Sequence, residues 1–225
     1  MRRAAVLLSG GLDSATAAAW ARAAGYSVGA LSVDYGQRQR HELEAARLVA
    51  EHLEIADHRM VAVDLRTFGG SALTAELAVP KDRVRIGSDV PITYVPARNT
   101  VLLALLTAFA EVTGATDLVI GANVQDYSGY PDCRPEFLRA FADVARLGTR
   151  AGAEGARFTV RAPLLHLSKA GIVRLGRDLG LDHALTLSCY DPPRPLVHCG
   201  HCDACCLRRA GFLEADVPDP STYAD

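Results

Sequence analysis

Ala4-Ala5-Val6-Leu7-Leu8-Ser9-Gly10-Gly11-Leu12-Asp13-Ser14 is a short apolar run that enters a glycine pair and leaves into an alanine-rich stretch. Ala4 to Leu8 has the length and apolarity of a buried parallel strand, and Ala15 to Ala24 is dominated by the best helix former. Gly10 and Gly11 therefore fall at a strand-to-helix turn. Glycine tolerates positive φ there and carries no Cβ to hold a ligand off the backbone, while free N–H groups at the helix start favour an anion. Ser9 and Ser14 add hydroxyl donors for phosphate oxygens. Asp13 suits such a site if it bonds backbone amides or works through Mg²⁺. No Gly-Lys-Ser/Thr follows, so this is not a Walker A loop, and the Gly-x-Gly-x-x-Gly spacing is also absent.

Working outward, strands are predicted at Ala4 to Leu8, Val28 to Val33, Met60 to Val63, Leu118 to Ile120 and Phe158 to Val160, with helical patterns between most of them. That alternation predicts an α/β fold with a doubly wound, mostly parallel five-stranded sheet. Leu43, Ala46, Val49, Ala50 and Leu53 share one helical face, with Glu42, Glu44, Arg47 and Glu51 elsewhere. Phe68 to Val95 shows no period and reads as a long loop over the ligand edge of the sheet. Arg98-Asn99-Thr100 precedes a helix apolar on nearly every side, which belongs in the core or at a subunit interface and makes a homodimer the expected assembly.

The 225 residues, 49% hydrophobic, suffice for one core plus a small appended module, divided here as 1–187 and 188–225. A formal charge of -2 and no long basic run argue against a direct nucleic-acid partner. Met1-Arg2-Arg3 starts like a signal peptide, but the apolar stretch ends at Gly10, and Val101 to Ala110 is too short to span a bilayer. A cytoplasmic protein without membrane association is expected.

Five of the six cysteines lie in the tail. Without a secretory signal, such density favours metal over disulfides. Cys199-x-x-Cys202-x-x-Cys205 sets three thiolates around a turn at Gly200, and Cys189 can return as the fourth ligand of a closed, structural Zn²⁺ site. The same spacing begins an iron–sulfur ligand run, although Cys206 follows here and no Cys-Pro lies three on. His198 and His201 are then neighbours of the metal site or exposed.

Two further motifs carry ligand chemistry. Asp34, Tyr35 and Gln37 end the second strand, where parallel sheets bind ligands, although Asp34 and Gly36 are also ordinary turn formers. The segment 121–137 follows the fourth strand and holds Gly121, Asn123, Asp126, Tyr127, Tyr130, Asp132, Arg134, Glu136 and Phe137. A planar purine-like ligand would use its tyrosines for stacking, an acid for ring N–H groups and Arg134 for a carboxylate. The bland alternative is that Pro131, Asp132 and Pro135 shape the loop and Glu136 caps a helix. Ser168 is a plausible N-cap for a helix over Lys169 to Leu179, and Lys169 in its first turn opposes the helix dipole at ~0.3–1 kcal/mol. A phosphate anion would offset that cost. Cys133 has no neighbouring base and reads as loop packing.

Ser-Gly-Gly-Leu-Asp-Ser at 9–14 resembles the loop of the PP-loop ATP pyrophosphatases, which split ATP between its α and β phosphates. Taken with Val-Asp-Tyr-Gly-Gln at 33–37, Tyr-Val-Pro-Ala-Arg-Asn at 94–99, Ser-Gly-Tyr-Pro-Asp-Cys-Arg-Pro-Glu-Phe at 128–137, Ser-Cys-Tyr at 188–190 and Cys-Gly-x-Cys-x-x-Cys at 199–205, the chain resembles the 7-cyano-7-deazaguanine synthase (QueC) family over nearly its whole length. Ala97, where a glycine is expected, and the insertion 192–197 depart from that pattern. The resemblance implies a Rossmann-like fold of the adenine nucleotide alpha hydrolase type. It also implies a carbon–nitrogen ligase that uses ATP with Mg²⁺, ammonia and 7-carboxy-7-deazaguanine to make the nitrile preQ0 for queuosine-type modification. On that basis ATP would meet Leu8, Ser9, Gly10, Gly11, Leu12, Asp13, Ser14, Ala15, Thr16, Arg98, Asn99 and Gly121. Catalysis would fall to Asp13, Ser14, Asp34 and Lys169, and the deazapurine to Tyr35, Gln37 and the polar residues of 121–137. Related enzymes that adenylate for tRNA thiolation, or for conjugation of the deazapurine to another amine, share the loop. A zinc module that only binds nucleotide is the reading from another class.

Overall fold

The apolar run of residues 4–8 lies at the centre of the molecule. The computed structural model describes residues 2–75, 77–82, 91–124 and 130–224. In chain order the elements are β1 (Arg3–Leu7), α1 (Leu12–Ala23), β2 (Ser27–Asp34), α2 (Glu42–His52), β3 (Asp57–Ala62), α3 (Arg98–Thr113), β4 (Asp117–Val119), α4 (Pro135–Leu147), α5 (Arg150–Ala153), β5 (Thr159–Arg161) and α6 (Lys169–Asp178). The short strands β6 (Val197–His198) and β7 (Thr222–Tyr223) flank α7 (Asp203–Ala215). The sheet has the order β3-β2-β1-β4-β5 with every pairing parallel. The chain thus winds outward from β1 to β3 and returns to the other side of β1, so the topological switch point lies at the carboxyl end of β1. The glycine pair sits there.

Alternation along β1 separates two layers. Ala4, Val6 and Leu8 pack with residues of α1, α2, α6 and α7, whereas Ala5 and Leu7 pack with residues of α3 and α4. Two-sided burial is why the strand is apolar after its exposed first residue, Arg3. In α3, Leu103, Leu106, Phe109 and Ala110 face the core and Val112 is exposed, so the helix is a core element with an apolar outer side.

Ala97 precedes α3 with φ +53°, in the left-handed region that disfavours a side chain. This explains why a glycine is expected at that position. The tail folds against the sheet domain: Phe212 and Ala215 of α7 join the cluster formed by α1 and α6. Arg208, buried under α7, donates to Thr186 Oγ1 (2.8 Å), the His183 carbonyl (3.0 Å) and Ser221 Oγ (2.7 Å). Part of the long segment after residue 68 leans on this tail and not only on the sheet edge. The Asp82 amide donates to the His201 carbonyl (2.9 Å), and Lys81 pairs with Asp191 (2.9 Å). No described helix is long and apolar enough to cross a membrane.

Candidate active site

The turn at 9–14 is closed on itself. Ser14 Oγ donates to the Gly11 carbonyl (3.0 Å) and accepts from the Ser9 amide (3.2 Å), and the two hydroxyls lie 3.1 Å apart. Gly10 has φ +87°, and a Cβ there would collide with the Glu42 carbonyl of α2. Gly11 has the ordinary φ of -77° and room for a Cβ, so the positive-φ argument holds at Gly10 alone. Gly121, at the end of β4, passes so close to the loop that a Cβ would lie 2.9 Å from Ser14 N. Ser188 supplies a partner from far along the chain, its hydroxyl accepting from the Leu12 amide (3.0 Å).

Lys169 reaches this loop from the first turn of α6, where Ser168 caps the helix by accepting from the Gly171 amide (3.1 Å). Its ammonium lies 2.8 and 2.9 Å from the two oxygens of Asp13. Asp13 therefore meets a lysine and not the backbone amides entertained from sequence. The pair places opposite charges at the mouth of the loop, and the positive end of α6 adds to the field.

A cavity of about 270 Å³ opens from the loop along the carboxyl ends of the strands. Leu8, Ser9, Gly11, Leu12, Asp13, Ser14, Tyr35, Arg98, Asn99, Gly121, Asn123, Tyr130 and Lys169 all line it. Gly10, Ala15 and Thr16 do not. Ala15 is fully buried, and Thr16 turns inward to donate to the Leu12 carbonyl (2.8 Å).

Several candidates sit elsewhere for physical reasons. Leu31, Val33 and Tyr35 line the cavity, so the pleat turns Asp34 away. Its carboxylate accepts from the Gly36 amide (3.1 Å) and pairs with Arg40 (2.6 Å) in a separate, smaller cleft shared with Asp64 and Arg66. Gln37 braces the turn, with Oε1 accepting from the Tyr35 amide (2.8 Å) and Nε2 donating to Glu42 Oε1 (2.9 Å). Asp132 accepts from the Asn99 amide (3.0 Å) and so fixes the start of α3. Arg134 and Glu136 face each other at 3.6 Å on the exposed start of α4, and Phe137 packs on the α4 layer beside Phe141. Asp126 and Tyr127 lie outside the described residues.

Cys133 lines the cavity, but its thiol accepts from Asn99 Nδ2 (3.3 Å), and burial followed by the Asp132 charge pushes it up to about 11. A thiol so rarely ionised is a poor nucleophile.

Sequence reading missed Glu42 and Gln39. By its pattern Glu42 belongs to the polar face of α2, yet it stands at the helix start beside Gly10 and lines the cavity. Burial pushes its carboxyl up to about 7 from 4.5, against the hydrogen bond from Gln37 and the nearby Arg98 charge. A carboxyl whose folded pKa lies above its unfolded one holds its proton more tightly when folded. Stability is therefore lost as pH climbs from about 4.5 through about 7. Glu42→Gln should raise the melting temperature at pH 8 by several degrees, on the order of 2–3 kcal/mol, with the gain vanishing toward pH 4.5. Melting curves at the two pH values check this. Burial also pushes Tyr35 up to about 12, so its hydroxyl stays protonated.

Cys189, Cys199, Cys202 and Cys205 bring four buried sulfurs within 4.8 Å of one another. Cys202 and Cys205 sulfurs are 3.5 Å apart and those of Cys199 and Cys205 are 3.9 Å apart. Four Zn–S bonds of about 2.3 Å in a tetrahedron give edges of about 3.8 Å. Backbone amides of Tyr190, Asp191, Cys199 and Cys202 donate to these sulfurs at 3.2 to 3.4 Å, which suits thiolates. Cys206 is exposed and outside the group. His198 is buried and accepts from the Ser188 amide (3.1 Å), while exposed His201 pairs with Asp82 (2.9 Å). The four cysteines could hold a metal ion, and Cys189 also forms part of the cavity wall.

Similarity to solved structures bears on the fold. A 4-thiouridine synthetase in complex with RNA and ATP matches with a TM-score of 0.55 at 18% identity, covering 99% of this chain and 47% of that one. A predicted subunit of tRNA methyltransferase from Methanocaldococcus jannaschii matches with a TM-score of 0.51 at 17% identity, covering 79% of this chain and 75% of that one. Sequence relatives are far nearer. A 7-cyano-7-deazaguanine synthase of Anaeromyxobacter dehalogenans is 61% identical over 99% of this chain and 96% of its own length. One of Myxococcus xanthus is 55% identical over 100% of this chain and 99% of its own. The family described as queuosine biosynthesis protein QueC matches residues 3–216, and with the PP-loop, the cavity and the four cysteines in place the chain belongs to the QueC family.

Proposed function

We propose that this chain is a 7-cyano-7-deazaguanine synthase, converting 7-carboxy-7-deazaguanine, ammonia and MgATP to the nitrile. The observation that carries the reading is the opening of the 9–14 loop and the Lys169–Asp13 pair into one cavity of about 270 Å³ with aromatic and hydrogen-bonding walls. A nitrile retains neither carboxylate oxygen, so each must be made a leaving group. The first ATP adenylates the carboxylate and releases pyrophosphate, and ammonia displaces AMP to give the amide. The second ATP adenylates the amide oxygen with loss of pyrophosphate, and elimination of AMP and a proton leaves the carbon–nitrogen triple bond.

In this scheme the residues position substrates and stabilise charge developing on pyrophosphate. Amides of the 9–14 turn and the hydroxyls of Ser9 and Ser14 face the phosphates. Lys169 neutralises the departing charge, and Asp13 holds that lysine in place. Asn99 and Gly121 complete the nucleotide wall, and Tyr35, Asn123 and Tyr130 meet the deazapurine. Residues 1–187 carry this chemistry, and 188–225 form a zinc segment packed on it. Close spacing of the four sulfurs suits a single ion, since a cluster would hold them further apart. Zn²⁺ would be structural there, with no open position for a reactant.

The enzyme would act in the cytoplasm on small molecules. We infer a homodimer, in which exposed Val112 of α3 and Val144 and Leu147 of α4 are side chains a partner would cover. Incubating the protein with 7-carboxy-7-deazaguanine, MgATP and ammonia, read by mass spectrometry, tests the activity. Nitrile is expected, with pyrophosphate and AMP formed in equal amounts. Amide alone, or a conjugate with another amine, would assign the chain to a different acceptor, and the absence of pyrophosphate would leave only a binding role.

A further inference from the structure

Four polar side chains lie on the cavity wall formed by the end of β2, the start of α2 and the start of α3. Glu42 uses Oε1 to accept from Gln37 and lines the cavity. Gln39 is 3% exposed, and its Nε2 donates to the Tyr35 hydroxyl (3.4 Å). Its Oε1 is buried without a hydrogen-bond partner among the described residues. Such an orphaned acceptor costs free energy unless a ligand satisfies it. Arg98 interacts with the Tyr35 hydroxyl and with the charge of Glu42, so a fixed cation stands beside the two acceptors.

We propose that Glu42, Gln39 and Arg98 read the pyrimidine edge of the deazaguanine, a reading that rests on the activity proposed above. That edge offers the 2-amino group and N1–H as adjacent donors, followed by the O6 acceptor. Two acceptors beside a guanidinium match the donor–donor–acceptor order. Adenine places the N1 acceptor beside its amino donor and would leave an acceptor of the wall facing another acceptor. Ammonium would be repelled by Arg98. The rings of Tyr35 and Tyr130 line the same cavity and suit a flat heterocycle. Sites that hydrogen-bond a substrate group discriminate strongly against analogues lacking it, because the site's own groups are then left unpaired.

The test uses the full-length, metal-loaded protein and titration calorimetry with 7-carboxy-7-deazaguanine. Glu42→Gln keeps the acceptor for Gln37 but can turn an amide donor toward the ligand. It should weaken binding of the acid about 10- to 100-fold while the KM values for ATP and ammonia stay unchanged. The analogue without the 2-amino group should bind the wild-type protein more weakly by a similar factor, and Glu42→Gln should weaken it little further. Gln39→Leu should act in the same direction as Glu42→Gln on the natural acid. A rise in the KM for ATP or ammonia instead of loss of acid binding, or unchanged acid binding, would overturn the assignment. If the wild-type protein binds the acid through Glu42 but makes no nitrile, the proposed activity fails and this inference stands. If it binds no 7-deazaguanine, the inference fails.

Discussion

Lys169→Met is expected to lower kcat/KM for ATP about 10²- to 10³-fold in a pyrophosphate-release assay, the range for deleting one preorganised donor to developing charge. Lys169 is only 14% exposed, its ammonium sits on both oxygens of Asp13, and it projects from the first turn of a capped helix. Removing it leaves the Asp13 carboxylate facing the incoming polyanion, so the loss exceeds that of a simple contact. Asp13→Asn should also reduce activity, and the double variant should fall short of the product of the two losses, because the groups act as a unit. Melting temperatures should move little, since the pair is partly exposed and its contribution to folding is screened. Activity of Lys169→Met close to wild type would remove the lysine from the chemistry.

Loss of the tail metal should reach the same chemistry from a distance. We expect about one zinc per chain by elemental analysis, and its absence in Cys202→Ser. Unfolding should then occur about 10 °C or more lower, corresponding to a few kcal/mol for a chain of this length. Cys202 is fully buried, and its neighbourhood ties directly to the phosphate loop: the Leu187 amide donates to the Gly10 carbonyl (2.9 Å), Ser188 accepts from Leu12, and Cys189 lines the cavity. Pyrophosphate release should therefore fall together with metal content when a chelator is titrated in. Retained metal with an unchanged melting curve in Cys202→Ser would contradict a structural role. Iron with visible absorbance would replace zinc by a cluster.

Local patterns made much of this molecule legible. The five sheet strands lie within a few residues of their expected bounds, as do the helices after β1 and at Lys169, because two-sided burial writes apolar runs and amphipathic helices write a repeating face. The cysteine spacing announced four sulfurs that do converge. Asp34 sits in the smaller cleft because its type and its place at a strand end are legible in sequence, whereas the side it faces depends on the pleat. Glu42 was hidden because a helix face that looks solvated in sequence becomes a cavity wall when Gly10 lets β1 and α2 approach. Lys169 was visible as a lysine against its helix dipole, but not its partner 156 residues away.

The sequence by itself determined the parallel sheet, the anion-binding turn at its central strand and the convergence of four thiolates, since each follows from residue types a few positions apart. Tertiary structure alone decided which polar residues share the cavity. That depends on strand order, on the pleat at Asp34 and on the approach of α2, α6 and the tail to one loop. Ser188 on Leu12, Lys169 on Asp13, and Gln39 beside Glu42 and Arg98 are the result. Most of these neighbours lie tens to more than a hundred residues apart, beyond the reach of any local period or motif.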